Sequence, residues 1–365
     1  MSSHNLTDLE KFKSSLLKRI EPLLETVKSE NHKKAIKKFW EEDVVSYLLK
    51  VASIDNAIKK GEIDAPTASK DVLIETNKVL KQGDKLEDIL NDSEYLKKIK
   101  GLFRISGAPY ALQSQSVKHA LEKPGGYAGD YEMLEFIYNN KPLSEGLGYC
   151  ADETFLADDY AKAVRNRKDT MKKKLKAFLE SDPKDFNILN IACGASRDLR
   201  ELFAENTFQL TGKTTFTLID KSKEALDFSK EQLKDHPSGT EFLFYNHSVY
   251  DYLKEPDKYH KLLAGQDVVY SIGLADYIPE DALMKQIGFF YDLLKPGGKL
   301  IIAHKDSKNY HPLLPDWWAD WTFYLRNIDD VVNLAKSSPI KNYKLNVEQE
   351  DNTKIIFFIT IEKNL

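Results

Sequence analysis

FNILNIACGASRDLRELF, residues 186–203, and TTFTLID, residues 214–220, together decide how this chain folds. An apolar strand runs into a turn at Gly194 and then a helix, and a second strand ends on the acidic Asp220. This is the layout of a nucleoside-binding βαβ unit. A dinucleotide fingerprint places three glycines in the turn so that backbone can approach a pyrophosphate. Here Gly194 stands alone, followed by Ala195 and Ser196. Such a turn suits a ribose and a small zwitterion better than two phosphates, which points to S-adenosylmethionine and away from NAD.

Downstream the pattern keeps alternating. Strand Phe186–Ala192 and helix Arg197–Glu205 are followed by strand Thr214–Ile219 and helix Ser222–Lys234. Strand Glu241–Tyr245 precedes a helical stretch near Tyr250–Leu253, and strand Asp267–Ile272 precedes helix Glu280–Leu294. Lys295-Pro-Gly-Gly then turns into strand Lys299–Ala303, and helix Ile328–Ala335 leads to strands Asn342–Glu348 and Lys354–Glu362. Strand–helix alternation predicts a parallel sheet with helices on both faces. The last two strands form a hairpin through Glu350, Asp351 and Asn352. The fold class expected is therefore α/β, a Rossmann-like seven-stranded methyltransferase sheet with a closing antiparallel hairpin.

Upstream, the texture is helical. Apolar residues recur at three- and four-residue steps, as in Leu9, Phe12, Leu16, Leu17 and Ile20, and again in Ile36, Phe39, Trp40, Val44 and Leu48. A turn falls near Gly61 to Pro66. We expect an all-helical N-terminal domain at 1–104, then a helical cap and linker at 105–182, then the Rossmann-like domain at 183–365. The linker carries the glycine- and tyrosine-rich loop GGYAGDY (125–131) and one long helix from Phe155 to Leu179, stopped by Asp182-Pro183. The N-terminal helices could form a lid, a partner-binding bundle or a homodimer contact, and the pattern leaves these open.

A net charge of −4 with 30% charged residues gives no basic footprint, so no nucleic-acid partner is expected. The lysine runs at 33–38 and 172–174 read as solvated helix faces. Two cysteines, Cys150 and Cys193, exclude a disulfide framework and a multi-cysteine metal site, and no metal is expected. The start of the chain has no cationic segment leading into an apolar run, and no stretch reaches membrane-spanning length. The expectation is a cytoplasmic protein with a small-molecule acceptor.

Ligands of parallel sheets bind at the carboxyl ends of the strands. The expected cofactor residues are thus Ala192, Cys193, Gly194 and Ala195 after the first strand, then Asp220 and Lys221 after the second. Ser248 and Val249 follow the third, with His247 as competitor, and Ser271 and Gly273 follow the fourth. Asp220 would accept hydrogen bonds from both ribose hydroxyls, and Ser248 and Val249 would hold the adenine.

Four further stretches, KPGGYAGDYEMLEFIY (123–138), AVRNR (163–167), YSIGLADYI (270–278) and DWTFYLR (320–326), carry a resemblance. In this order they resemble a group of bacterial class I S-adenosylmethionine-dependent methyltransferases that includes enzymes making 3-hydroxy fatty acid methyl esters, used as quorum signals. The resemblance covers roughly residues 105–362 and leaves the first hundred residues outside it. It implies a Rossmann-like fold, S-adenosylmethionine as cofactor, and a small acidic or hydroxylated lipid as acceptor. The loop SKNYHPLLPDWWAD (307–320) departs from the group's pattern, which bears on substrate identity. Within this frame, Arg165 or Arg167 would bind the methionine carboxylate; two residues apart on a helix, they point to different faces, so one should reach the cleft, and Arg165 is taken as that residue. Tyr127 in the GGYAGDY loop would fold over the cofactor.

Asp276 and Tyr277 are the acceptor-side candidates for catalysis, with His304 beside them. A carboxylate acceptor needs no base at neutral pH, whereas a hydroxyl or amine does. Trp317, Trp318 and Trp321 either line an acceptor pocket or dock the helical domain on the sheet. Rival readings are a protein methyltransferase whose N-terminal helices recruit the substrate, a binding module without turnover, and an NAD enzyme disfavoured by the missing glycines.

Overall fold

The computed structural model describes residues 3–181, 185–205, 210 and 212–365. Asp182 and Pro183, and the side chain of Leu9, lie outside them. Two compact units emerge: Met1–Asp158 with Pro312–Thr322, and Asp159–His311 with Phe323–Leu365.

The second unit is built on seven strands: β1 Phe186–Ile191, β2 Thr214–Asp220, β3 Thr240–Asn246, β4 Gln266–Ser271, β5 Leu294–Lys305, β6 Tyr343–Gln349 and β7 Ile356–Lys363. Their order is β3-β2-β1-β4-β5-β7-β6. β1 to β5 run parallel, and β7 pairs antiparallel with both β5 and β6. The central strands are buried on both faces, which is why apolar residues stand at adjacent positions in them, as at Ile188 and Leu189 or Val268 and Val269. Alternate residues feed separate cores. Leu189, Ile191, Val269, Leu300 and Ile302 pack on one side with Leu283, Ile287 and Phe290 of helix Glu280–Asp292. Ile188, Phe216, Leu218, Tyr270 and Ile301 pack on the other with Met171 and Leu175 of helix Asp159–Ser181 and Leu199 of helix Arg197–Ala204. The closing turn is built around Glu350, whose buried carboxylate accepts from the backbone N–H groups of Asn352, Thr353 and Ile355. Burial opposes its charge, but these bonds and the Thr353 hydroxyl hold the group below its usual range.

Some local expectations change. The single helix read from Phe155 to Leu179 is two, Gly146–Ala157 and Asp159–Ser181. Asp158 adopts an extended conformation between them (φ −62°, ψ 144°), the backbone geometry that aspartate favours at a helix start. Lys295-Pro-Gly-Gly is not a free turn but an irregularity within β5: Gln266 pairs with Leu294 and Val268 with Lys299. Gly297 permits it with φ +77°. Helices Pro256–Leu263 and Leu313–Ala319 went unread in the sequence.

The first unit is helical: Ser3–Thr26, Glu30–Lys38, a π-turn over Phe39–Val44, Val45–Lys59, Ala65–Leu90, Ser93–Ala111, Gln115–Glu122, Tyr131–Asn139 and Gly146–Ala157, joined by Leu313–Ala319. Ser29, Asp64, Asp92, Ser114 and Asp130 cap helix starts by accepting backbone N–H bonds. The tryptophans belong to this core. Trp317 packs edge-on against Phe39 (5.5 Å) and Phe103 (5.4 Å), Trp318 against Phe103 (4.8 Å), and Trp321 stacks near Phe155 (6.3 Å). Gly148 sets how close helix Gly146–Ala157 can come to the preceding chain, because a Cβ there would lie 2.2 Å from the Gln113 carbonyl oxygen. Gly148→Ala is expected to destabilise this unit by about 1–3 kcal/mol. A thermal melt of the purified variant matching the parent would refute that.

Candidate functional site

The turn after β1 is held in an unusual conformation. Ala192, Gly194 and Ser196 all have positive φ (55°, 52° and 48°). For the alanine and serine this is strained backbone that surrounding contacts must impose. Cys193 N–H donates to the Ile219 carbonyl (3.0 Å), Ser196 N–H to Cys193 (2.9 Å), and the Ser229 hydroxyl to Gly194 (3.0 Å). Cys193 itself is half-buried, and burial pushes its thiol well above the usual range. Ala195 is buried. Next in the chain, Asp198 fastens helix Arg197–Ala204 to the sheet by accepting from the Tyr270 hydroxyl (2.9 Å), which in turn accepts from Asn190 (2.8 Å).

Asp220 closes this turn from β2. One carboxylate oxygen accepts from Gly194 N–H (2.8 Å), the other from Ser222 N–H (2.8 Å). The residue is 4% exposed; burial raises its pKa, and the backbone bonds from Ser222 and Gly194 oppose that rise. An ionised carboxylate has about four acceptor positions, so two remain for a ligand's paired hydroxyls. Lys221 is exposed beyond it. After β3, Ser248 caps helix Val249–Lys254 in a reciprocal arrangement with Asp251, and Val249 sits in the core. After β4, the buried Ser271 hydroxyl donates to the Ile191 carbonyl (2.9 Å), tying β4 to β1.

Gly273 follows, and a Cβ there would lie 3.5 Å from Nη2 and 3.7 Å from Nη1 of Arg167. Arg167 is buried, while Arg165, two residues away, is half-buried on another face of the helix. Arg167, rather than the Arg165 taken from the sequence, is thus the arginine that the fold brings to the strand ends. Tyr127 lies half-buried in the helical unit. There the loop is anchored by Asp130, which accepts from Met133 N–H (3.0 Å) and contacts His119 Nε2 (2.8 Å).

At the ends of β4 and β5 lies a buried charge cluster. Lys305 Nζ donates to Asp276 Oδ2 (2.6 Å) and Lys305 N–H to Oδ1 (3.0 Å). The ammonium also sits 3.7 Å from the ring centre of Phe323, 5.2 Å from Tyr160 and 5.7 Å from Tyr277. Burial lowers Lys305 to about 8, against the pull of Asp276. Burial would raise Asp276, but the Lys305 ammonium and the hydrogen bonds from Lys305 hold it far below the carboxylate range. His304 Nδ1 lies 2.7 Å from the Lys305 carbonyl, and Arg326 Nη1 lies 3.3 Å from His304 Nε2. That pairing assigns the proton to Nδ1 and the neutral form, consistent with the lowering of His304 by burial. Arg326 also donates to the carbonyls of Ala275 (3.2 Å) and Ile278 (2.7 Å), pinning the turn that carries Asp276 and Tyr277. The sequence reading passed over Lys305; its signal was the run His304, Lys305, Asp306, ionisable residues ending an otherwise apolar strand.

Residues 189–300 match the sequence family described as a methyltransferase domain. A curated relative, malonyl-[acyl-carrier protein] O-methyltransferase 1 of Ilyobacter polytropus, is 26% identical over 156 residues, 43% of this chain and 50% of the relative. The chain thus spans about half the length of that relative. Among solved structures, a possible exported protein from Bordetella parapertussis is similar with TM-score 0.51 at 17% identity, over 68% of this chain and 86% of that one. The magnesium protoporphyrin IX methyltransferase of Synechocystis, solved with bound S-adenosylmethionine, gives TM-score 0.40 at 10% identity, over 56% of this chain and 83% of that one. Among the described residues no helix is long and apolar enough to cross a membrane.

Proposed function

We propose, from the premise that the second unit carries a class I S-adenosylmethionine-dependent methyltransferase domain, that the protein methylates a carboxylate oxygen of a small acid, with a hydroxylated fatty acid as acceptor. The residues present fit the cofactor: a bent, pinned turn at Gly194, a carboxylate at Asp220 with acceptor positions to spare, and a guanidinium at Arg167 beside Gly273. When bound, S-adenosylmethionine supplies a methyl carbon on a sulfonium, which makes the leaving group good without protein assistance. The chain's own residues then bind, orient and exclude water. Asp220 takes the ribose hydroxyls, and Arg167 takes the methionine carboxylate as a two-pronged donor. Tyr277 stands as a wall on the acceptor side.

The observation that carries the choice of acceptor is the state of Asp276 and His304. Both oxygens of Asp276 are engaged by Lys305, and both nitrogens of His304 are taken up within the same cluster. These two groups position the turn rather than remove a proton. A carboxylate acceptor, already ionised at neutral pH, fits a site organised in this way. The relative named for O-methylation and the motif resemblance to enzymes of hydroxy fatty acid methyl esters support the same class.

Incubation with methyl-labelled cofactor and cell lysate should place label in the neutral lipid fraction, as a methyl ester that releases methanol in mild base. Label in protein, or label stable to base, would overturn the proposal. Arg167→Met is expected to weaken S-adenosylhomocysteine binding by roughly tenfold or more. Adenosine, which lacks the amino-acid end, should bind both forms alike. Equal loss for the two ligands in calorimetry would remove Arg167 from this role.

A further inference from the structure

Lys305 ends β5 with a buried ammonium. Such a group carries three N–H donors and no acceptor. One donor goes to Asp276 Oδ2 (2.6 Å), which among the described residues is the one carboxylate within ion-pairing distance of it. The rest of the group meets aromatic faces, with the ring centres of Phe323, Tyr160 and Tyr277 at 3.7, 5.2 and 5.7 Å. A ring face attracts a cation but gives it no strong hydrogen bond. The ammonium therefore keeps donor capacity for a second anion, and a carboxylate would supply the shorter and stronger charge-assisted bond.

Two of the three rings are only half-buried, Phe323 and Tyr277, whereas Tyr160 is buried. Phe323 belongs to neither helix nor strand, while Lys305 is fixed in β5 by its pairing with Ile356 of β7. Rotation of a partly exposed side chain is fast, so the Phe323 ring is the contact that can yield. The place is also the one where parallel sheets bind ligands, since Asp276 follows β4 and Lys305 ends β5. The Arg167 charge acts on Lys305 as well. The guanidinium assigned to the methionine carboxylate and this ammonium thus share one end of the sheet.

We propose that Lys305 binds the methyl acceptor: its ammonium takes the acceptor's carboxylate in place of the Phe323 ring, with Asp276 holding its other side. One carboxylate oxygen then bonds to Nζ, and the second remains available as the nucleophile. The inference deepens the methyl-transfer reading and rests on its carboxylate acceptor. Calorimetry of the full chain saturated with S-adenosylhomocysteine tests it, comparing 3-hydroxydecanoate with 1,3-decanediol, which has the same chain and no charge. The parent should bind the acid about tenfold or more tighter than the diol. In Asp276→Ala combined with Lys305→Met, acid affinity should fall to that of the diol, with S-adenosylhomocysteine affinity retained. Should that variant fail to fold, proton uptake by the parent decides. Lys305 lies at about 8, so at pH 8 binding of the acid should take up roughly half a proton and binding of the diol none. Of the other groups around the ammonium, Asp276 and His304 are displaced downward, away from that pH. Arg167, Arg326, Tyr160 and Tyr277 are of residue types that titrate well above it. Equal acid affinity in parent and folded double variant, or acid binding without proton uptake, removes Lys305 from this contact and leaves the carboxylate acceptor standing. Failure of the parent to bind the acid at all overturns both.

Discussion

Asp220→Ala is expected to cost about 1.5–3 kcal/mol of cofactor affinity, roughly tenfold to a hundredfold, the range for hydrogen bonds to a charged group. The loss has two sources. The carboxylate would no longer accept the ribose hydroxyls, and the N–H groups of Gly194 and Ser222, both 2.8 Å from it, would lose their acceptor. The second loss relaxes a turn held at positive φ on Ala192 and Ser196, so part of the effect is a site less ready to receive the ligand. Asp220→Asn keeps the shape and one carbonyl acceptor and should fall between the two. Calorimetry with S-adenosylhomocysteine, paired with a thermal melt, separates affinity from folding. An unchanged dissociation constant in a folded Ala variant would be incompatible with the assigned role.

Asp276→Ala is expected to destabilise the sheet unit by about 3–5 kcal/mol, because it strands the Lys305 ammonium without its buried partner. Lys305 is 4% exposed and Asp276 2%. Removing both charges, in Asp276→Ala combined with Lys305→Met, should recover much of the loss, since no ion is then left uncompensated. The pH dependence has a definite sign. Lys305 sits at about 8 in the folded protein, below the ordinary lysine range. Above that point the unfolded chain binds the extra proton, so this group's contribution to stability rises with pH up to its unfolded pKa. The defect in Asp276→Ala should therefore be smaller at pH about 9.5 than at pH 7, where the stranded charge is present. Urea unfolding of the single and double variants at both pH values tests this. Strictly additive losses would mean that the two side chains do not form the pair described.

Much of the sheet unit was legible because its information is local. Runs such as Phe186–Ile191 and Leu300–Ala303 carry apolar residues on both faces and are bounded by turn residues, so the strands and their alternation with helices follow from period and punctuation. Gly194 and Asp220 were placed at the ends of consecutive strands by the same logic, and there they meet through one backbone hydrogen bond. Arg165 was chosen over Arg167 with no local signal to separate them, and the rotation of helix Asp159–Ser181 brings Arg167 to Gly273. Ser248, a polar residue at the expected strand end, caps the next helix with its side chain. Asp276 was read as an acceptor-side candidate for catalysis, and what it does depends on Lys305, which lies 29 residues further on.

The tryptophan segment marks the same limit. Its composition announced a large buried surface, yet nothing in residues 317–321 states which core receives it. The fold carries that segment, through helix Leu313–Ala319, into the helical unit against Phe39, Phe103 and Phe155. The chain by itself determined the strand pattern, the single-glycine turn and the acidic residue after β2, because hydrophobic periodicity and backbone preference act over a few neighbouring residues. Only the tertiary structure decided that Arg167 lies beside Gly273 and that Asp276 is the ion-pair partner of Lys305. Each of those depends on side chains far apart in sequence, whose meeting is set by the packing of whole elements rather than by any local preference.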